Sequence, residues 1–101
     1  MSISALKELS YNDVQQRFKD QMELRKMNPG TIATYYSDAF YVWRKGGAEA
    51  FWQLVESSDF ESNAEAKLVE LLEKHSKGNI KANKADYVRA LKTFREFYLG
   101  C

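Results

Sequence analysis

Proline occurs once in this 101-residue chain, at Pro29, so long stretches carry no residue that breaks a helix. Cysteine also occurs once, at Cys101. A lone terminal thiol closes no internal disulfide and supplies no thiolate cluster for a metal. His75 is the single histidine, and no His or Cys spacing matches a metal site. A phosphate-binding glycine loop is missing as well. Apolar runs reach only a few residues, far short of the roughly 20 that a membrane helix needs. The N-terminus has no continuous apolar segment of the signal-peptide kind. Together these gaps predict an intracellular, cytoplasmic protein with no membrane partner, no metal and no cofactor.

Apolar residues make up 45% of the chain and charged residues 29%, which suits a folded domain. The length supports one hydrophobic core and not two. Aromatic residues reach 14%, so a few large rings can fill much of a small interior. Gly100-Cys101 follows a strong helical pattern abruptly, which reads as one domain of a longer protein.

Apolar spacing predicts an all-α fold, a bundle of four to five helices with a short leading turn that brings in Leu6 and Leu9. The first helix is expected over 11–26, capped by Ser10 with Asp13 at its third position. Val14, Phe18, Met22 or Gln21, and Arg25 follow helical spacing along it, with Leu24 and Met27 near its end. The second is expected over 29–45, with Asn28 as cap and Pro29 at the first helical position. Ile32, Tyr35, Tyr36, Ala39, Phe40 and Trp43 track one broad face, and Gly46-Gly47 ends the helix. A third, over 48–56, offers Phe51, Trp52 and Val55. Ser62 with Glu65 resembles a capping box for a fourth over 63–75, where Leu68, Leu71 and Leu72 face inward. Residues 77–80 form the next turn. The last helix is expected over 84–99, capped by Asn83 with Asp86 in its first turn. Its stripe is Tyr87, Leu91, Phe94 and Tyr98.

Net charge is +1, but the charges are unevenly spread. Residues 1–45 hold seven basic and five acidic side chains, 46–74 hold two and seven, and 75–101 hold six and two. Basic ends flanking an acidic middle fit either solvated helix faces or a polyanion surface made where the ends meet.

Two segments carry a family resemblance. One is Met27-Asn28-Pro29-Gly30-Thr31-Ile32-Ala33-Thr34-Tyr35. The other runs from Asn83-Lys84-Ala85-Asp86-Tyr87-Val88-Arg89 through Ala90-Leu91-Lys92-Thr93-Phe94-Arg95-Glu96-Phe97-Tyr98-Leu99. Over about residues 11–99 the chain resembles the N-terminal core-binding, SAM-like domain of tyrosine recombinases and phage integrases. The acidic middle departs from a generously basic DNA-binding surface. The resemblance implies a non-catalytic module that forms one side of a clamp on double-stranded DNA. It also implies a downstream catalytic domain, recombinase protomers on the same DNA, and a role in DNA integration and recombination. A small helical protein-interaction or structural module is the alternative, motivated by the abundance of Phe, Tyr and Trp, especially Phe51 and Trp52.

The candidate DNA-binding residues fall into two groups. Asn28, Thr31 and Thr34 suit hydrogen bonds to phosphate near a helix start, or plain capping and surface polarity. Lys81 and Lys84 flank the expected start of the last helix, and Arg89, Lys92 and Arg95 lie along it, where ordinary solvation is the plainer reading. No catalytic residue is expected. Tyr35, Tyr36 and Tyr98 read as structural, since no base or cluster of cations accompanies them. His75 reads as a helix-end residue, and the spacing of Glu65, Glu70 and Glu73 fits exposed helix positions.

Overall fold

A computed structural model describes residues 3–75 and 80–99, with the side chains of residues 3 and 80–83 left aside. Among the described residues there are seven helices and no strands: α1 (Ile3–Leu6), α2 (Tyr11–Leu24), α3 (Pro29–Asp38), α4 (Tyr41–Gly46), α5 (Ala48–Val55), α6 (Phe60–His75) and α7 (Ile80–Tyr98). The fold is a compact all-α bundle, as the apolar spacing predicts.

Local chemistry starts the early helices where expected. Ser10 Oγ accepts from the Asp13 amide at 3.2 Å, satisfying a donor that the first turn of α2 leaves open. Asn28 Oδ1 accepts from the Gly30 amide at 2.8 Å, and Pro29 opens α3. Gly47 stops α4 and precedes α5 with φ 95° and ψ 163°, a region closed to side chains with a Cβ.

Three expectations need correction. The helix expected over 29–45 is two helices, broken at Ala39-Phe40. Phe40 takes φ −104° and ψ 12°, and its amide reaches back only to Ser37 O, at 3.3 Å. The break lets the consecutive residues Ala39, Phe40, Tyr41 and Val42 all be buried, which a straight helix with one apolar face cannot do. The Arg44 guanidinium donates to Ser37 O at 2.9 Å and so closes the carbonyl end of α3.

Helix α6 begins at Phe60, not near Ser62. Its first turn is closed by the Asn63 amide on Asp59 O at 3.1 Å, so Ser62 and Glu65 lie inside the helix and form no capping box at its start. Phe60 is buried, and core packing draws the helix start toward it. Helix α7 begins at Ile80, so Asn83 and Asp86 are interior positions rather than cap and first turn. Residues 80–83 contain no strong breaker, and Lys and Ala favour propagation. Of the turn expected over 77–80, residue 80 opens α7 and 77–79 lie outside the described residues, as do Gly100 and Cys101.

The core is an aromatic cluster. Phe94 of α7 places its ring 5.2 Å from Phe18 of α2, 5.5 Å from Phe40 and 5.4 Å from Phe51 of α5. Phe40 and Phe51 stack at 5.5 Å, and Phe18 meets Phe40 edge-on at 6.0 Å. All four phenylalanines are fully buried. Edge-to-face pairs add to the apolar area that each ring removes from water. Helices α3 and α6 both pack against α7, which makes the last helix the spine of the bundle.

Substituting Phe40 or Phe94 by alanine should cost about 3–5 kcal/mol in denaturant unfolding, while Leu24→Ala, at an exposed site, should stay within about 0.5 kcal/mol. Gly47→Ala should cost about 1–3 kcal/mol although no atom lies within 4 Å of the added methyl, because the backbone conformation is the obstacle.

Candidate functional site

Helix α3 packs against α7, and this contact brings the first candidate group beside Arg89 of the second. An open groove of about 460 Å³ is lined by Asn28, Thr31 and Thr34 from the α3 side and by Asp86 and Arg89 from α7. A second groove of about 470 Å³ lies between α6 and α7, lined by Glu61, Glu65, Lys84, Val88, Arg89 and Lys92. Arg89 borders both and joins them into one surface strip.

The candidates are not equally free. Asn28 Oδ1 is engaged with the Gly30 amide, and the Thr34 hydroxyl donates to Gly30 O at 3.0 Å. Both side chains therefore serve helix α3. Thr31 and Arg89 are the candidate donors lining the first groove without those engagements. Lys84 sits a turn inside α7 instead of flanking its start, so it offers its side chain and not a neighbouring free amide. Lys92 Nζ is 2.9 Å from Glu61 Oε1. That bond holds the Glu61 carboxyl below its ordinary range and the Lys92 ammonium above its own. Lys81 is in the first turn of α7, and its side chain lies outside the described residues.

Arg95 leaves the expected surface group. It is half-buried and donates to Val55 O at 2.9 Å and Ser57 O at 3.2 Å, closing the carbonyl end of α5. The basic residues of the N-terminal part do not line either groove. Lys7 pairs with Glu56 at 2.6 Å, Arg25 lies 3.9 Å over the Phe97 ring, and Arg44 bonds Tyr11 Oη at 3.1 Å as well as Ser37 O. The cations of the strip come from α7, and α3 contributes polar groups.

Sequence reasoning missed the acidic members. Asp86 precedes Arg89 by three residues, so helical spacing alone places them on one face. Glu61 and Glu65 share a face of α6 by the same rule, but their position opposite Lys84 and Lys92 needs the packing of α6 on α7. Tyr98 packs at 5.0 Å from Phe94 with its hydroxyl buried, and burial raises its pKa, in keeping with a structural role. Among the described residues no group of three or more His, Cys, Asp or Glu is placed to hold a metal ion. No described helix is long and apolar enough to cross a membrane.

A second electrostatic feature lies at the end of α3. The Asp38 carboxyl is raised above its ordinary 3.8 by burial first and by Asp86 second, while Arg44 pulls it down. Beside it Tyr87 stacks on Tyr41 at 4.6 Å, and burial followed by Asp38 raises the Tyr87 phenol. A raised carboxyl binds more protons folded than unfolded, so stability falls as pH rises from 3.8 through the higher folded value. Asp38→Asn should therefore be more stable than the parent at neutral pH. That gain should close as pH drops below the ordinary carboxylate value, read as melting temperature against pH.

No family model, curated protein or solved structure matches the chain.

Proposed function

We propose that this chain is a non-catalytic DNA-binding domain of an integrase-like, site-specific recombinase. It positions duplex DNA through backbone contacts for a separate catalytic domain. The observation that carries the reading is Arg89, which borders both the α3–α7 groove and the α6–α7 groove. Polar groups of the Asn-Pro-Gly-Thr-Ile segment thus share one strip with Lys84, Arg89 and Lys92. Guanidinium groups suit phosphate because they are planar, always charged and rich in donors. The resemblance of residues 27–35 and 83–99 to core-binding domains points the same way. Contacts of this kind set register and orientation on the duplex and carry no base readout. The rival reading, a helical protein-interaction or structural module, rests on the abundance of Phe, Tyr and Trp; Phe51 and Trp52, foremost among them, are buried in the core.

Titration of a labelled DNA duplex should give weak binding that falls steeply with salt, because neutralised phosphates release counterions. Replacing Lys81, Lys84, Arg89 and Lys92 by glutamine should weaken it, with the fold intact by circular dichroism. The slope of log affinity against log salt should become shallower by about 0.9 for each phosphate that is no longer neutralised. Equal affinity in the variant would remove the assigned surface, and no binding by the parent at low salt would defeat the reading. The chain alone should form no covalent complex with a suicide-substrate duplex, as expected of a sequence that offers no nucleophile-and-base constellation.

A further inference from the structure

The acidic middle of the chain returns to the basic strip through α6. Glu61 and Glu65 lie four residues apart on one face of that helix and line the same groove as Lys84, Arg89 and Lys92. Glu61 bonds Lys92 directly, at 2.9 Å across 31 positions of sequence. The pair is exposed, with 48% of the Lys92 side chain and 68% of the Glu61 side chain accessible. Glu96, four residues further along α7, also acts electrostatically on Lys92.

A carboxylate hydrogen-bonded to a lysine presents the same kind of oxygen that a phosphodiester would present there. Because the pair is exposed, it is easily exchanged: such pairs are worth at most about fivefold in an equilibrium constant. Resting on the DNA-binding reading above, we infer that Glu61 is an internal competitor for the DNA phosphate at Lys92. Backbone contact at this position proceeds by exchange of the Glu61 carboxylate for a phosphate oxygen. Arg89 and Lys84 make the first contacts, and Lys92 joins once Glu61 gives way. Glu61 thereby lowers the affinity of the free domain and raises the threshold for binding any polyanion. This gives a role to the ion pair that engages one of the strip's three cations, in grooves that Glu65 and Asp86 also line.

The test is fluorescence anisotropy of a labelled DNA duplex with the parent chain, E61Q, K92Q, the E61Q/K92Q double variant, R89Q and E70Q. The fold of each is checked by circular dichroism. Glu70 pairs with Lys67 at 3.4 Å and does not line the groove, so E70Q makes the same charge change elsewhere on α6. E61Q should bind roughly two- to fivefold tighter at low salt, and E70Q should bind much as the parent does. The gain should vanish in the K92Q background and should shrink as salt rises, because salt also screens the exposed Glu61–Lys92 pair that has to be exchanged. If E61Q does not tighten binding while R89Q weakens it, the competitor role is overturned and the DNA-binding reading stands. A gain in E70Q equal to that in E61Q, or one that persists with K92Q, also overturns it, since net charge and not exchange at Lys92 would then be responsible. Absence of binding by every protein, the parent included, overturns both.

Discussion

The ring of Phe94 is the point on which the rest of the bundle leans. It packs against Phe18 of α2, Phe40 before α4, Phe51 and Trp52 of α5, and Tyr98 one turn further along α7, at 5.0 to 6.1 Å between ring centres. Segments from distant parts of the sequence are thus tied to the last helix by a single side chain and its neighbours. A small domain has little interior to divide among separate clusters, and large rings remove much apolar area from water with few degrees of freedom to lose. The leucines of α6 complete the same core.

That central constraint explains the break between α3 and α4. Phe40 has to reach Phe18, Phe51 and Phe94 while Tyr41 and Val42 are buried too. A continuous helix spreads three successive residues over most of its circumference. The chain gives up regular helix geometry at Ala39-Phe40, and the Ser37 carbonyl beside the break is satisfied by the Phe40 amide and by Arg44. Helix α3 is then held against α7 separately from α4, which sets the Asn28–Thr34 segment beside Arg89.

Electrostatics in this fold is a matter of which charges have been given structural work. Arg44 and Arg95 close helix carbonyl ends, and Arg25 covers the Phe97 ring. Lys7 holds Glu56, and Lys92 holds Glu61. Counting basic residues by segment treats them as one pool. The grooves show a shorter strip on α7, edged by carboxylates from α6 and by Asp86.

Composition, period and caps determined much of this protein without reference to its tertiary contacts. The lack of helix breakers and the 3.6-residue recurrence of apolar side chains set an all-α fold. Ser10, the Asn28-Pro29 pair and Gly47 set local boundaries, because each acts on backbone groups within a few residues of itself. The starts of α6 and α7 and the break after Asp38 were not legible in the same way. At those places long-range burial of Phe60, Phe40 and Val42, or propagation through an unbroken stretch, outweighs a weak capping preference. The candidate site divides along the same line. Helical spacing puts Arg89 and Lys92 near one another, and Asp86 with them. Only the packing of α3, α5 and α6 on α7 decided that Thr31 shares a groove with Arg89, that Glu61 holds Lys92, and that Arg95 turns inward to Val55 O, since each joins groups far apart in sequence.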